Sequence, residues 1–102
     1  FSKVDVYFSP VASTTAPRIP TEALAAGISD TALVMRVMRF IFLANYLGHP
    51  AISCPLGYQE DTGLPLSAHM MAKHWDEALL LRLAYALQSS SAFGDWKPPP
   101  SA

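Results

Sequence analysis

The sequence MRFIFLANYLGHPAISCPLGY, residues 38–58, predicts a helix, a sharp stop and a strand in immediate succession. Apolar residues fill almost every position up to Leu47, which is typical of a helix packed on most of its circumference. Gly48 occupies the position of a left-handed C-cap, and Pro50 prevents the helix from resuming. The short apolar run of residues 51–54 then predicts a strand that is covered on both faces.

The helix of this stretch begins upstream, near Ser29 or Asp30, because either side chain can accept hydrogen bonds from the free amides of a first turn. We predict that it continues to Leu47, with Arg36 and Arg39 as its one polar edge. A surface helix of a self-sufficient domain normally keeps a broad polar face. We therefore expect this helix to be covered on several sides, partly by residues outside this chain.

Further strands and helices are predicted on both sides. Residues 4–8 (VDVYF) are rich in β-forming residues and predict a strand. Residues 9–17 (SPVASTTAP) predict a loop bounded by prolines, and residues 20–27 predict a short helical turn. After the polar turn of residues 59–63, residues 64–72 complete a hairpin with the strand before them.

A last helix is predicted from the cap residue Asp76 to Gln88. Residues 89–102 mix serines with three consecutive prolines, which predicts an extended tail. We accordingly divide the chain into residues 1–88, one incomplete α/β layer, and residues 89–102, a Ser/Pro-rich tail.

Composition limits the classes of partner. The chain has 102 residues, 51% of them hydrophobic and 15% charged, with a net charge of -1, and its basic residues are scattered. These values give no reason to expect nucleic-acid binding, and the apolar excess predicts that other protein covers part of the surface. Phe1 is expected to be a processed or truncated start.

The compartment stays open at this point. The single cysteine, Cys54, excludes an internal disulfide and is compatible with a reducing compartment or an organelle matrix. The longest apolar stretch, residues 33–47, is shorter than the roughly 20 residues that cross a bilayer, so the chain is not expected to span a membrane alone. A position close to a membrane remains compatible with it.

Titratable and nucleophilic residues do not form a recognisable site. His49, His69 and His74 match no metal-ligand spacing, so neither a metal nor a cofactor is expected. The serine cluster of residues 89–91 has no glycine framework for an oxyanion hole, and a solvated helix end is favoured over catalysis. Asp76 and its neighbouring carboxylate at the helix start are expected to act in capping rather than in acid and base chemistry.

Four segments, in this order, resemble the C-terminal portion of the amidase signature hydrolases, most closely the plant-type fatty acid amide hydrolases. They are VDVYFSPVASTTAP, MRFIFLANYLGHPAISCPLGY, GLP at residues 63–65 and HWDEALLLRLAYAL. The resemblance covers roughly 85 residues, from about residue 4 to residue 88. It implies an α/β fold made of about three strands of a larger mixed sheet, with two apolar helices packed on it.

The resemblance also implies a reaction whose central residues are not in this sequence. Enzymes of the family hydrolyse amides with a serine nucleophile, a second serine in a cis peptide and a lysine, all in a glycine- and serine-rich core upstream of this region. No catalytic residue is therefore assigned here. By the same resemblance the loop after the first strand lines an acyl-binding channel, and its aligned residues are Val11, Ala12 and Thr14.

Some positions are expected to matter for structure, and others depart from the family. The structural positions are Asn45, Gly48, Pro50, Pro55 and Gly57. Within the second hairpin strand His69 replaces a usual glutamine, Ser67 a usual glycine and Ala68 a usual leucine. These replacements predict altered packing beside the active site of the parent fold.

Two functions are compatible with these observations. The first is a non-catalytic, amidase-like fragment that acts as an accessory or structural subunit of a larger complex, and the absent core, the apolar excess and the tail favour it. The alternative is the C-terminal piece of a functional amide hydrolase whose Ser-Ser-Lys core lies on another chain or segment. In both, other protein chains cover the apolar helix and the sheet edges.

Overall fold

A computed structural model of the chain describes residues 1–90. Within them, three strands and four helices follow in the order β1 (Val6–Pro10), α1 (Ala23–Ala26), α2 (Thr31–Met38), α3 (Phe42–Leu47), β2 (Ala51–Tyr58), β3 (Pro65–Ala72) and α4 (Glu77–Ser89). This architecture confirms the predicted α/β class, an open layer consistent with an incomplete amidase-like fold. Most of the predicted tail, from residue 91 onward, lies outside the described residues.

The three strands form one antiparallel sheet in the order β1-β3-β2. In the register of the sheet, Met70 of β3 lies between Phe8 of β1 and Ile52 of β2. All pairs that the described strands make are antiparallel, so the larger mixed sheet stays a prediction. Because β3 is the central strand, its last five residues are all buried.

The core lies between this sheet and α4. Cys54, Met70, Ala72 and Leu80 form its buried cluster, and partly buried side chains from β1, β2 and α4 surround them. Residues 70 and 72 are two apart on β3, so they point to the same sheet face, the one that α4 covers. Glu77 in the first turn of α4 complements the helix dipole.

The prediction that β2 is covered on both faces is wrong. Of residues 51–54, only Cys54 is buried, and Ala51 and Ser53 are exposed, so the described residues cover β2 on one face rather than two. It is an edge strand, where Pro55 can be accommodated because no ladder donor is needed there. The register shifts between Pro55 and Gly57, which leaves an irregularity at the end of the hairpin.

The single helix predicted from Asp30 to Leu47 is also wrong, because α2 and α3 are separated by residues 39–41. At the break the Ile41 amide donates to the Met38 carbonyl at 3.2 Å, a tighter turn than an α-helix makes. The Arg36 carbonyl, which a continuous helix would pair with the residue 40 amide, accepts a hydrogen bond from the Ser13 hydroxyl at 2.8 Å. A contact from a distant loop thus coincides with the interruption.

Both predicted ends of this helical region are found. The Asp30 side chain accepts a hydrogen bond from the Leu33 amide at 2.9 Å, and Gly48 has φ 69° and ψ 22°, the left-handed conformation. Asp76 precedes α4, but its side chain makes no capping hydrogen bond and lies 3.6 Å from the Lys73 ammonium instead. None of the helices among the described residues has the length and apolar character needed to cross a membrane.

Candidate functional site

A groove of about 540 Å³ opens where the loop after β1 approaches the β2–β3 hairpin. We call it the loop groove. It is lined by residues 8–17, Val37, Leu56 and residues 65–68. Its volume lies within the range of small-molecule pockets, about 300–1,000 Å³.

The loop groove contains the three residues predicted to line an acyl channel. Val11, Ala12 and Thr14 all belong to its wall. The loop is held at its start by the Val11 amide, which donates to the Ser67 carbonyl at 3.2 Å and so extends the β1–β3 pairing by one residue. The structure therefore brings the three residues together, and their contact with a substrate stays a prediction.

Helix α2 contributes one residue, Val37, to the lining of the loop groove, and we call this part of the lining the α2 wall. The Ser13 hydroxyl links the loop to the neighbouring Arg36 carbonyl and so fixes the distance between the two walls at this point. Neither Ser13 nor Val37 was singled out from the sequence. Nothing in the local sequence indicates their contact, because it joins residues 23 positions apart.

The walls of the loop groove offer few free polar groups. Of the described residues that line it, none is charged. The Ser9 hydroxyl donates to the Pro10 carbonyl at 3.2 Å, and the Thr14 hydroxyl donates to the Thr15 carbonyl at 2.6 Å. The Ser13 hydroxyl donates to the Arg36 carbonyl, so three of the five hydroxyls that line the groove donate to backbone. Since no charged side chain lines it, the groove is suited to an uncharged ligand, such as an apolar chain.

His69, which takes the place of a family glutamine, lies in the centre of the sheet. It pairs in register with Ser9 on one side and Ser53 on the other. It is only 5% exposed, and its Nδ1 has no hydrogen-bond partner. Burial lowers the pKa of His69, because the desolvated imidazole is less able to carry a charge.

The other two histidines form a pair. The rings of His49 and His74 stack with their centroids 4.1 Å apart, and the Nε2 of His74 lies 3.1 Å from the Leu47 carbonyl. A carbonyl can only accept, so His74 donates this bond and closes the C-terminus of α3. The side chain that caps α3 thus comes from a residue 27 positions away from Leu47.

The predicted structural positions have identifiable surroundings. The Gly48 amide donates to the Ala44 carbonyl, and the Pro50 carbonyl accepts from the Ala72 amide at 3.1 Å. Pro55 and Gly57 flank the irregularity in β2, and Gly57 has φ 145°. Asn45 lies exposed on α3.

The serine cluster lies at the end of α4, where the sequence predicted a solvated helix end. Ser89 ends α4 and the Ser90 hydroxyl donates to the Leu87 carbonyl at 2.8 Å, whereas Ser91 lies outside the described residues. Within residues 1–90, no three His, Cys, Asp or Glu side chains are grouped so that they could hold a metal ion.

Known proteins resemble the chain along most of its length. A model of the family described as Amidase matches residues 1–81. The chain is 46% identical over 88 residues to a fatty acid amide hydrolase of Medicago truncatula and 43% identical over 88 residues to one of Arabidopsis thaliana. It is also 37% identical over 98 residues to a glutamyl-tRNA(Gln) amidotransferase subunit of Thermodesulfovibrio yellowstonii.

These alignments cover most of this chain and a small part of each relative. The two plant alignments include 86% of the chain and 14% of the relative, and the bacterial alignment includes 96% and 19%. The chain thus spans about one seventh of the length of the plant proteins that it matches. Because the family model covers most of the sequence, the chain belongs to the amidase family.

Proposed function

We propose that this chain forms part of the acyl-binding channel of a fatty acid amide hydrolase-like enzyme. The observation that carries this proposal is the loop groove, whose uncharged walls bring together Val11, Ala12 and Thr14. The identity to plant fatty acid amide hydrolases over 88 residues supports the same substrate class. The groove contributes binding, and the chemistry of amide cleavage comes from residues outside this sequence.

The groove acts through burial of apolar surface. Each methylene of an acyl chain that leaves water contributes about 0.8 kcal/mol, so a long chain is selected over a short one without any specific polar contact. The acyl chain is expected to lie between the loop wall at Ala12 and the α2 wall at Val37. This fixes the position of the amide relative to the channel, and the serine nucleophile of the family then attacks its carbonyl carbon.

A photoreactive fatty acyl amide, with a diazirine near the end of its chain, tests the proposal on the protein together with any chain that co-purifies with it. We expect cross-links on residues 9–17 and their loss in Ala12→Trp, which fills the groove. Ala25→Trp is the matched control, because Ala25 is an exposed residue of α1 outside the groove. Cross-links that avoid the loop, or that survive in Ala12→Trp, would contradict the proposal.

The second candidate is a non-catalytic accessory or structural subunit. The observation in its favour is the exposed apolar surface of α2 and α3, which is that expected of a chain covered by other protein. Phe42 is 62% exposed and Met35 is 68% exposed, and Phe40 and Ile41 between them are only partly buried. A piece of an enzyme is also expected to expose such a surface. The identity of the chain that covers it therefore distinguishes the two candidate functions.

Native mass spectrometry of the purified complex separates the two candidates. A covering chain or segment with the glycine- and serine-rich amidase core supports the enzyme, and its complex should hydrolyse fatty acyl amides. Assembly with unrelated subunits, and no hydrolysis, supports the structural role. In either case the chain by itself is expected to show no amidase turnover above background, because the Ser-Ser-Lys core of the family is not in this sequence.

A further inference from the structure

Three aromatic rings meet where α3 ends, β2 begins and the turn between β3 and α4 passes. The Phe1 ring lies edge-on to the His49 ring with centroids 4.8 Å apart, and His49 stacks on His74 at 4.1 Å with an angle of 22° between the ring planes. The His49 Nδ1 is buried and has no hydrogen-bond partner. The two imidazoles are thus stacked, with His49 half-buried and His74 exposed.

This pair attaches α3 to the rest of the chain. The Ala44 carbonyl accepts bonds from the amides of Gly48 and His49, which closes the last turn of α3. The carbonyl of Leu47 accepts the bond from His74, which belongs to the β3–α4 turn. One side chain therefore connects the end of α3 to the packed part of the fold.

The remaining attachment of α2 and α3 is slight. Neither helix buries a side chain except Ala44. Within α2, the Arg36 carbonyl accepts a hydrogen bond from the Ser13 hydroxyl, which links the segment to the loop after β1. Among the described residues, the segment of residues 31–47 is held by these two polar contacts, by buried Ala44 and by a few half-buried side chains. Of the two polar contacts, only the one at His74 contains a titratable group.

We propose that the stacked pair of His49 and His74 is a proton-sensitive attachment that releases the segment of residues 31–47 from the sheet under acidic conditions. Val37 in this segment is a wall of the loop groove, so release widens the groove. That consequence for the groove rests on the proposed function, whereas the release itself does not.

The charges around the histidine pair explain why release is expected at acidic rather than alkaline pH. The pKa of His49 is lowered from its ordinary value of 6.5 by desolvation first, then by charge repulsion from His74, with a smaller contribution from the Phe1 amino group. The nearby Ala72 backbone favours the protonated ring and opposes them, although Nδ1 makes no hydrogen bond with it in the structure. The β3–α4 turn also carries the Lys73 and Asp76 ion pair, and α3 and β2 contain no charged side chain.

The sign follows from linkage between proton binding and opening. The open segment exposes His49 to water and restores its ordinary pKa, so below about pH 6.5 the open state binds more protons than the closed state. Attachment is therefore complete above this pH and weakens as the pH falls. When both imidazoles are protonated, two cations face each other with their ring centroids 4.1 Å apart, which opposes the closed state.

Amide hydrogen exchange on the full chain, without ligand, tests the release. After correction for intrinsic rates, we expect the protection of residues 31–47 to fall between about pH 7.5 and pH 5, while that of α4 stays constant. His49→Gln should keep the protection at neutral pH and abolish its pH dependence. Ser13→Ala is the matched control, and it should lower protection equally at both pH values.

Equal protection of residues 31–47 at both pH values would overturn the proposal, and so would a parallel loss in α4, which indicates global unfolding. An unchanged pH dependence in His49→Gln has the same consequence. Should this variant fail to fold, nuclear magnetic resonance titration of the two imidazoles in the unmodified chain decides: coupled titration steps support the proposal, and independent ones contradict it. Failure of the acyl amide cross-linking would leave these results unaffected.

Discussion

The sheet with α4 and the segment from α1 to α3 are both rich in apolar residues, yet only the first buries them. Leu80 of α4 is 3% exposed and Met70 of β3 is 2% exposed, whereas Met35 of α2 is 68% exposed and Leu24 of α1 is 75% exposed. The difference lies in the partners that each helix has within the described residues, because α4 packs on a sheet face and α2 packs on no comparable surface.

This comparison separates two contributions to the fold. The sheet and α4 form a small core that the chain supplies by itself. The α1–α3 segment has local signals, such as caps and a left-handed glycine, but little burial. Since tertiary packing supplies most helix stability in proteins, we expect substitutions in the two regions to differ more in their effect than their sequences suggest.

The largest effect is expected for Leu80→Ala in the core beneath α4. Removing a buried leucine side chain costs the transfer free energy and leaves a cavity, so the free energy of unfolding should fall by about 2–5 kcal/mol. Leu81→Ala on the same helix is the matched control, because Leu81 is 61% exposed. Chemical denaturation monitored by circular dichroism measures both.

A loss of similar size in Leu81→Ala would break the comparison, since the exposed face of α4 would then also be packed. A small loss of stability in Leu80→Ala would also contradict the comparison, because the stabilising core would then lie elsewhere.

The next largest effect is expected at Gly48, which connects the two regions. At φ 69° a β-branched side chain is strained, so Gly48→Val should destabilise the fold by about 1–3 kcal/mol. The strain is in the backbone, because an added Cβ would meet its nearest atom, Nε2 of His74, only at an ordinary 3.9 Å. Gly48→Asn should cost less, since asparagine tolerates this conformation better.

Thermal unfolding of both Gly48 variants gives the comparison. Equal loss in the valine and asparagine variants would mean that the left-handed conformation is not the cause, and no loss in either would mean that the end of α3 does not contribute to stability.

Substitution of Trp75, in the turn between β3 and α4, is expected to change stability by a smaller amount and in the opposite direction. The Asp76 amide donates to the Lys73 carbonyl at 3.2 Å, so Trp75 is the third residue of a turn, and it has φ 67° although it is not glycine. Glycine is preferred at this position of a type II turn. Because the indole is 91% exposed, Trp75→Gly should stabilise the chain by up to about 1 kcal/mol by relieving strain.

Trp75→Ala is the control for this gain, because alanine removes the indole but keeps the Cβ. It should leave the midpoint of denaturation nearly unchanged. A loss of stability in both variants would instead reveal that the indole makes a contact that matters.

Much of this fold was predictable because its signals are local. The left-handed Gly48, the Asp30 cap and the three strands each depend on a few neighbouring residues, and all are found in the structure. Val11, Ala12 and Thr14 were singled out by family resemblance and line the loop groove together, while their contact with a substrate stays a prediction.

The features that were missed depend on contacts between distant residues. The break between α2 and α3 coincides with the bond from Ser13, and the cap on α3 comes from His74, 27 positions along the chain. Both faces of β2 were predicted to be covered because its composition is apolar, but composition does not reveal whether a strand is at an edge. The residue type of Trp75 gives no indication of its positive φ.

The smallest effect on overall stability is expected for Asp30→Ala, the cap of α2. Loss of a capping side chain costs the helix itself about 1 kcal/mol, because the Leu33 amide loses its acceptor. Since α2 buries no side chain in the described residues, this cost should appear as faster amide exchange in residues 31–38, with a change in global unfolding below about 0.5 kcal/mol. Asp30→Asn, which can still accept the bond, should exchange like the unmodified chain. A global loss close to that of Leu80→Ala would show that α2 is part of the cooperative core, and the contrast between the two regions would have to be abandoned.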